Sequence, residues 1–215
     1  MIKLVCLDRD GTINEDNNYF LGSSPSWREQ VKILEGVVEG IKKLNSFPQT
    51  EVFIVTNQSG VALAGRRFEE LTEERMHEVN RYVINLLANQ GARVRNYFTC
   101  PFVDIKYLEK VKARSWSVHQ YYVRDRYPDL KPNIGMLEKC AKSLGCSLNE
   151  AELYVIGDRS SDVEFGLNGG GKGILVSSKK TIELGDVDKV RKLQERNPQR
   201  VFIATNFLDA INYVK

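Results

Sequence analysis

Three runs of apolar, β-compatible residues in this chain each stop abruptly at acidic or small polar residues. Leu4-Val5-Cys6-Leu7 stops at Asp8-Arg9-Asp10-Gly11-Thr12, Val52-Phe53-Ile54-Val55 at Thr56-Asn57-Gln58-Ser59-Gly60, and Leu153-Tyr154-Val155-Ile156 at Gly157-Asp158-Arg159-Ser160-Ser161-Asp162. A continuous apolar run suits a strand buried on both faces, the environment of a parallel sheet. Further strands are expected at 94–100, 173–176 and 201–204. Segments of helical period lie between: Val37, Ile41 and Leu44; then 68–90 with Met76, Val79, Val83, Leu86 and Leu87; then Ile134, Leu137, Cys140, Ala141 and Leu144. Strands alternating with helices predict an α/β fold, a doubly wound, mostly parallel sheet with right-handed crossovers. Such sheets bind ligands at the carboxyl ends of their strands, so the polar stops should meet at one edge.

At that edge Asp8 and Asp10, two residues apart, can lean the same way, and Gly11 permits a sharp turn. Carboxylates so close raise one another's pKa unless a cation keeps both ionised, and an oxygen-only site suits a hard ion such as Mg²⁺. Thr56 and Asn57 bring a hydroxyl and free backbone N–H groups that fit a phosphate oxygen, although an N-cap would use the same residue types. Lys131, ahead of a helix start at Pro132, sits where the helix dipole disfavours a cation, a conflict that a bound anion would offset. Asp158 and Asp162 complete the set. One metal, one phosphate and one nucleophile fit there. His77, beside Glu74 and Glu78, reads as solvated.

Two segments have no clear period. Residues 13–27, with Asn14, Asn17, Asn18, Gly22 and Pro25, form a loop leaving the carboxylate edge, longer than an ordinary connection. Residues 101–130 mix Lys106, Lys110, Lys112, Arg114, Arg124 and Arg126 with Tyr107, Trp116, Tyr121, Tyr122 and Tyr127; a binding flap and a surface hairpin both remain open. The chain, 215 residues with 42% hydrophobic and 27% charged, fits a single domain over 1–215 with an insertion at about 101–130 and a strand-helix extension at about 178–215. A net charge of +3 does not by itself indicate nucleic acid or membrane. Cys6, Cys100, Cys140 and Cys146 lack paired spacing, which suggests a reducing compartment. With no basic-then-apolar leader and no membrane-length apolar run, a cytoplasmic location is expected. Oligomeric state is not legible.

The ordered set DRDGT, TNQSG, KPNIGM and GDRSSD resembles the haloacid dehalogenase-like phosphohydrolases over roughly residues 1–177. Within them DRDGTIN, TNQSGVA and KPNIGM look most like the D-glycero-D-manno-heptose 1,7-bisphosphate phosphatases and histidinol-phosphate phosphatases. The resemblance implies an Mg²⁺-dependent phosphomonoesterase acting on a small phosphorylated metabolite. Asp8 would attack phosphorus to form an aspartyl-phosphate. Asp10 would protonate the leaving alkoxide, then deprotonate the hydrolytic water, and would ligate Mg²⁺ through its carbonyl. This division of labour requires Asp10 protonated while Asp8 is charged. Asp158 would complete the metal site with Asp162 outside it, and Thr56, the N–H of Asn57 and Lys131 would stabilise the phosphoryl oxygens.

The chain departs from that group at two places. The Cys-x-His and Cys-x-Cys zinc loop is reduced to Cys100-Pro101-Phe102, so no structural zinc is expected, and Leu130 stands where an Arg usually precedes the Lys. No large cap domain is expected, so loops must read the leaving group, with Arg124 or Arg126 offering forks for a second anionic group. Polynucleotide 3′-phosphatases are similar in TNQ and KPxxGM, but the acids of 101–130 argue against a nucleic-acid groove. A non-catalytic binding or regulatory module is the alternative from another class.

Overall fold

The computed structural model describes residues 1–16 and 20–214. Strands are β1 (Ile2–Leu7), β2 (Thr50–Asn57), β3 (Leu63–Ala64), β4 (Asn96–Cys100), β5 (Ser117–Val118), β6 (Ala151–Gly157), β7 (Lys172–Val176) and β8 (Val201–Ala204). Helices are α1 (Trp27–Gln30), α2 (Val37–Ser46), α3 (Glu73–Asn89), α4 (Ile105–Lys112), α5 (Gly135–Ser143), α6 (Ser160–Asn168), α7 (Lys179–Glu183), α8 (Asp186–Arg196) and α9 (Phe207–Ile211). Six strands form one parallel sheet in the order β4-β2-β1-β6-β7-β8. The order reverses between β1 and β6, the switch point where open α/β sheets hold ligands.

The apolar runs of β1 are buried on both faces. Val5 and Leu7 join Val52, Ile54, Tyr154 and Ile156 in a core covered by α2, α3 and α9. Leu4 and Cys6 face the other way, with Phe53, Val55, Val155 and the α5 residues Met136, Leu137 and Cys140. Each fully buried aliphatic is worth about 1.5–3 kcal/mol, so alternation fixes the register of the central strands. Leu7 pairs with both Ile54 and Ile156, which brings Asp8, Thr56 and Asp158 to the same sheet edge within one residue of one another in register.

The structure differs from the sequence reading at three places. The helix expected over 68–90 begins only at Glu73, because Thr72 caps it by accepting from the Arg75 N–H at 3.1 Å while Phe68 and Leu71 turn into a separate cluster. His77 is half-buried, and its Nδ1 lies 2.9 Å from the Tyr97 hydroxyl. Segment 101–130 is built on α4, capped by Asp104, and on β5, which pairs antiparallel with β3. Val111 and Trp116 there pack with Leu63, Phe68, Leu71 and Phe20 as a small roof beside the carboxylate edge. Segment 178–215 contributes β8 to the main sheet. No helix among the described residues is long and apolar enough to cross a membrane.

Candidate active site

Asp8 follows β1 directly, its backbone N–H bonded to the Ile156 carbonyl at 2.8 Å. It is 7% exposed, and its Oδ1 accepts from Lys131 Nζ at 2.6 Å. The same ammonium donates to Asp162 Oδ1 at 2.6 Å and to the Val55 carbonyl at 3.2 Å. Lys131 reaches this position because the Asn57 side chain clamps its peptide. Asn57 Oδ1 accepts from the Lys131 N–H at 3.2 Å, and Asn57 Nδ2 donates to the Lys131 carbonyl at 3.4 Å.

Asp158 and Asp162 come from the end of β6 and the first turn of α6. Oxygens of Asp8, Asp158 and Asp162 lie within 4.8 Å of one another, the one such grouping of metal-ligating side chains among the described residues. Two glycines make room for this crowding. A Cβ on Gly11, at φ +84°, would come within 2.4 Å of Asp158 Oδ2, and one on Gly157 within 2.3 Å of the Asp162 carboxyl. Asp162 has both oxygens engaged, Oδ1 by Lys131 and Oδ2 by the Arg159 N–H at 3.1 Å.

Burial drives the electrostatics. Desolvation pushes Asp8 up to about 7, with Lys131 opposing and the Asp162 and Asp10 charges adding. Asp158 is pushed to about 8 by burial, then by Asp8 and Asp162. Lys131 is raised despite burial, by Asp162 and Asp8. An oxygen-only, mutually repelling set fits a hard divalent cation.

Asp10 is turned a different way. Its Oδ2 accepts from Arg9 Nη2 at 2.7 Å and Gln58 Nε2 at 2.8 Å, and its Oδ1 from Arg9 Nε at 3.1 Å and Asn14 Nδ2 at 3.0 Å. Burial alone would raise its pKa, but the Arg9 guanidinium and the donors from Arg9, Gln58 and Asn14 outweigh it, so Asp10 lies below its usual range. Sequence reasoning asked for a protonated Asp10 beside a charged Asp8. In this arrangement the polarity is reversed, because the Arg9 fork faces Asp10 while burial dominates at Asp8.

The cleft over these residues has a volume of about 430 Å³ and is lined by Asp8, Asp10, Thr56, Asn57, Lys131 and Asp158 among others. Thr56 Oγ1 accepts from Gln58 Nε2 at 2.8 Å, so the Thr56 hydroxyl is tied to the Asp10 network. Arg124 and Arg126 do not join the lining. The Arg124 guanidinium lies over Phe102 and Tyr121 and donates to its neighbour's carbonyl at 2.9 Å, Asp129 pairs with Lys139, and Arg126 is exposed. Lys110 and Arg159 are the cations that border the cleft alongside Lys131. Phe102 packs on Tyr127 with ring centroids 4.2 Å apart, and the Cys100 thiol is pushed to about 12 by burial. Asn17 and Asn18 of the 13–27 loop lie outside the described residues. Arg9, Gln58 and Asn14 escaped sequence reasoning.

The HAD-hydrolase-like family model matches residues 130–210. A D-glycero-beta-D-manno-heptose-1,7-bisphosphate 7-phosphatase of Rhodopseudomonas palustris is 32% identical over 158 residues, 74% of this chain and 74% of that protein. The chain belongs to the haloacid dehalogenase-like phosphatases. A Pseudomonas putida relative of the same name as the first is 31% identical over 188 residues, 86% of this chain and 89% of the relative. Among solved structures, a D,D-heptose 1.7-bisphosphate phosphatase from B. bronchiseptica, complexed with magnesium and phosphate, shares the fold at a TM-score of 0.67. That likeness covers 99% of this chain and 98% of the other, at 21% identity. The chain is thus a haloacid dehalogenase-like hydrolase, and neither a polynucleotide 3′-phosphatase nor a non-catalytic module is favoured.

One prediction follows from the raised carboxylates of this phosphatase. Folded-state pKa values of about 7 and about 8 for Asp8 and Asp158 mean that the metal-free fold holds protons the unfolded chain has released. Their contribution is fully present below the ordinary carboxylate range and is lost as pH rises through about 7 to 8. A cation that binds the ionised pair competes with those protons. Mg²⁺ is expected to raise Tm more at about pH 8.5 than at about pH 5.5, measured by thermal shift with and without EDTA. An equal shift at both pH values would show that these carboxylates do not bind the ion.

Proposed function

We propose that the chain is an Mg²⁺-dependent phosphomonoesterase that removes the 7-phosphate of D-glycero-D-manno-heptose 1,7-bisphosphate through an aspartyl-phosphate on Asp8. The observation that carries this reading is the buried Asp8 carboxylate, held by Lys131 at 2.6 Å beside Asp158 and Asp162, at the sheet's switch point. The substrate comes from the relatives at 30% identity or above.

Asp8, Asp158 and the Asp10 carbonyl would hold Mg²⁺, with Asp162 outside the ligand set because both its oxygens are already bonded. When bound, the ion keeps the carboxylates ionised and neutralises phosphoryl oxygens. Lys131 and the Thr56 hydroxyl stabilise the remaining oxygens, and Lys131 also fixes the rotamer of Asp8, so attack needs no reorganisation. Asp8 Oδ forms the new bond to phosphorus as the ester oxygen departs. Asp10 gives that oxygen a proton and then takes one from the water that attacks the acyl-phosphate. For this Asp10 must turn from Arg9 toward the leaving oxygen. The negative charge of the ester raises its pKa, and Gln58 and Asn14 remain to guide it.

Purified protein with Mg²⁺ is expected to release one phosphate from the heptose 1,7-bisphosphate, leave the 1-phosphate, and lose activity in EDTA. Full activity in EDTA would refute the metal role. Hydrolysis of an aryl phosphate but not of the heptose bisphosphate would refute the substrate.

A further inference from the structure

The cleft at Asp8 opens into a second cavity of about 660 Å³, with Asp16, Phe20, Ser59, Tyr107, Lys110 and Arg159 common to both. Beyond the junction the far wall carries Arg67, Arg114 and Lys180. Among the described residues the cavity thus gathers five cations against one carboxylate, Asp16, and Asp16 is taken by Lys180. The other four have little to neutralise them. Arg159 has Nε 3.6 Å from Asp186, while its Nη1 is buried without a hydrogen-bond partner among the described residues. The guanidinium carbons of Arg67 and Arg114 lie 5.5 and 5.2 Å from the Trp116 ring centroid. Trp116 is itself braced edge-on by Phe20 and Phe68. No ion pair joins Arg67, Lys110 or Arg114 to a carboxylate of the described residues.

Four like charges facing one space repel unless an anion sits among them, and the anion that suits planar arginine forks is a phosphate. The aromatic brace holds Arg67 and Arg114 in place by cation–π contact, so less side-chain freedom remains to be lost on binding. We propose that this cavity seats the second, non-scissile phosphate of the substrate. Arg159 and Lys110 stand at the junction, and Arg67 and Arg114 at the far wall. The inference rests on Asp8 as the site of phosphoryl transfer, and adds which residues distinguish a bisphosphate from a monophosphate. It also moves that task from Arg124 and Arg126, where the sequence suggested it.

The test compares KM for heptose 1,7-bisphosphate and for heptose 7-phosphate in wild type, Arg67→Ala/Arg114→Ala and Arg124→Ala/Arg126→Ala. Wild type should prefer the bisphosphate, and the preference should fade as KCl rises from about 50 to about 300 mM, since these cations are screened. Arg67→Ala/Arg114→Ala should raise KM for the bisphosphate about tenfold while kcat and the monophosphate KM hold, and Arg124→Ala/Arg126→Ala should keep the preference. Equal loss on both substrates, no loss on either, or collapse of the preference in Arg124→Ala/Arg126→Ala overturns the assignment. A wild type that hydrolyses an aryl phosphate yet does not distinguish the two sugars overturns this inference alone. Failure to hydrolyse any ester overturns the reading of Asp8 and this inference with it.

Discussion

Asp8→Asn is expected to leave a folded protein whose phosphate release falls by on the order of 10⁴-fold or more, since the amide cannot form the covalent intermediate. The fold should not suffer. Asn fits the same volume and can still accept from Lys131, which retains Asp162 at 2.6 Å. In metal-free buffer the variant should be at least as stable as wild type above about pH 8, because it removes a buried carboxylate whose ionisation the fold resists. Steady-state turnover with a discontinuous phosphate assay, set beside Tm at about pH 8.5 in EDTA, gives both readings. Wild-type kcat in Asp8→Asn would end the covalent account. Lost activity with a collapsed fold would mean that Asp8 was mainly a structural partner of Lys131.

Lys131→Met tests the opposite charge. Met keeps the apolar stem but removes the ammonium that holds Asp8 and Asp162, whose side chains are 10% and 1% exposed. Breaking a buried pair by deleting one partner costs about 3–5 kcal/mol, which for a chain of this size corresponds to a fall in Tm of roughly 10 °C. The loss should depend on pH with a definite sign. Lys131 opposes the upward shift of Asp8, so without it Asp8 is neutral in mild acid and charged in base, and the deficit should be larger at about pH 8 than at about pH 5. Mg²⁺ should restore part of the stability but not the rate, because an oxygen of the transferring phosphoryl group loses its donor, a change worth about 10²–10³ in kcat. A deficit independent of pH would locate the damage in packing.

How much of this site could be read from residue order depends on where each partner comes from. The three strands with polar ends were legible because burial on both faces leaves an uninterrupted apolar run, and period-two alternation then sends Val5 and Leu7 one way and Leu4 and Cys6 the other. Arg9 was not legible. A strand-end arginine reads as solvated, yet this one is 1% exposed, because Asn80 accepts from Nη1 at 2.9 Å and Gln58 from Nη2 at 2.9 Å. A signal did exist in α3, where Asn80 interrupts the buried stripe of Met76, Val79 and Val83 and so requires a polar partner. Helix α4 was hidden by its lysines, although Asp104, accepting from the Tyr107 N–H at 2.9 Å, is an ordinary N-cap. The cationic cavity could not be found by proximity in sequence, since Arg67, Arg114, Arg159 and Lys180 come from four separate segments. Arg124 and Arg126 drew notice because Leu130 stands where an Arg is usual and their planar forks suit a phosphate, but neither lines the cleft.

The central claim is that a side-chain carboxylate takes the phosphoryl group before water does, and stereochemistry at phosphorus tests it most directly. An isotopically chiral phosphate monoester hydrolysed by the wild-type protein in labelled water should give inorganic phosphate of retained configuration, the outcome of two successive in-line displacements, at Asp8 and then at the acyl-phosphate. Inversion would mean a single displacement by water and would contradict the account.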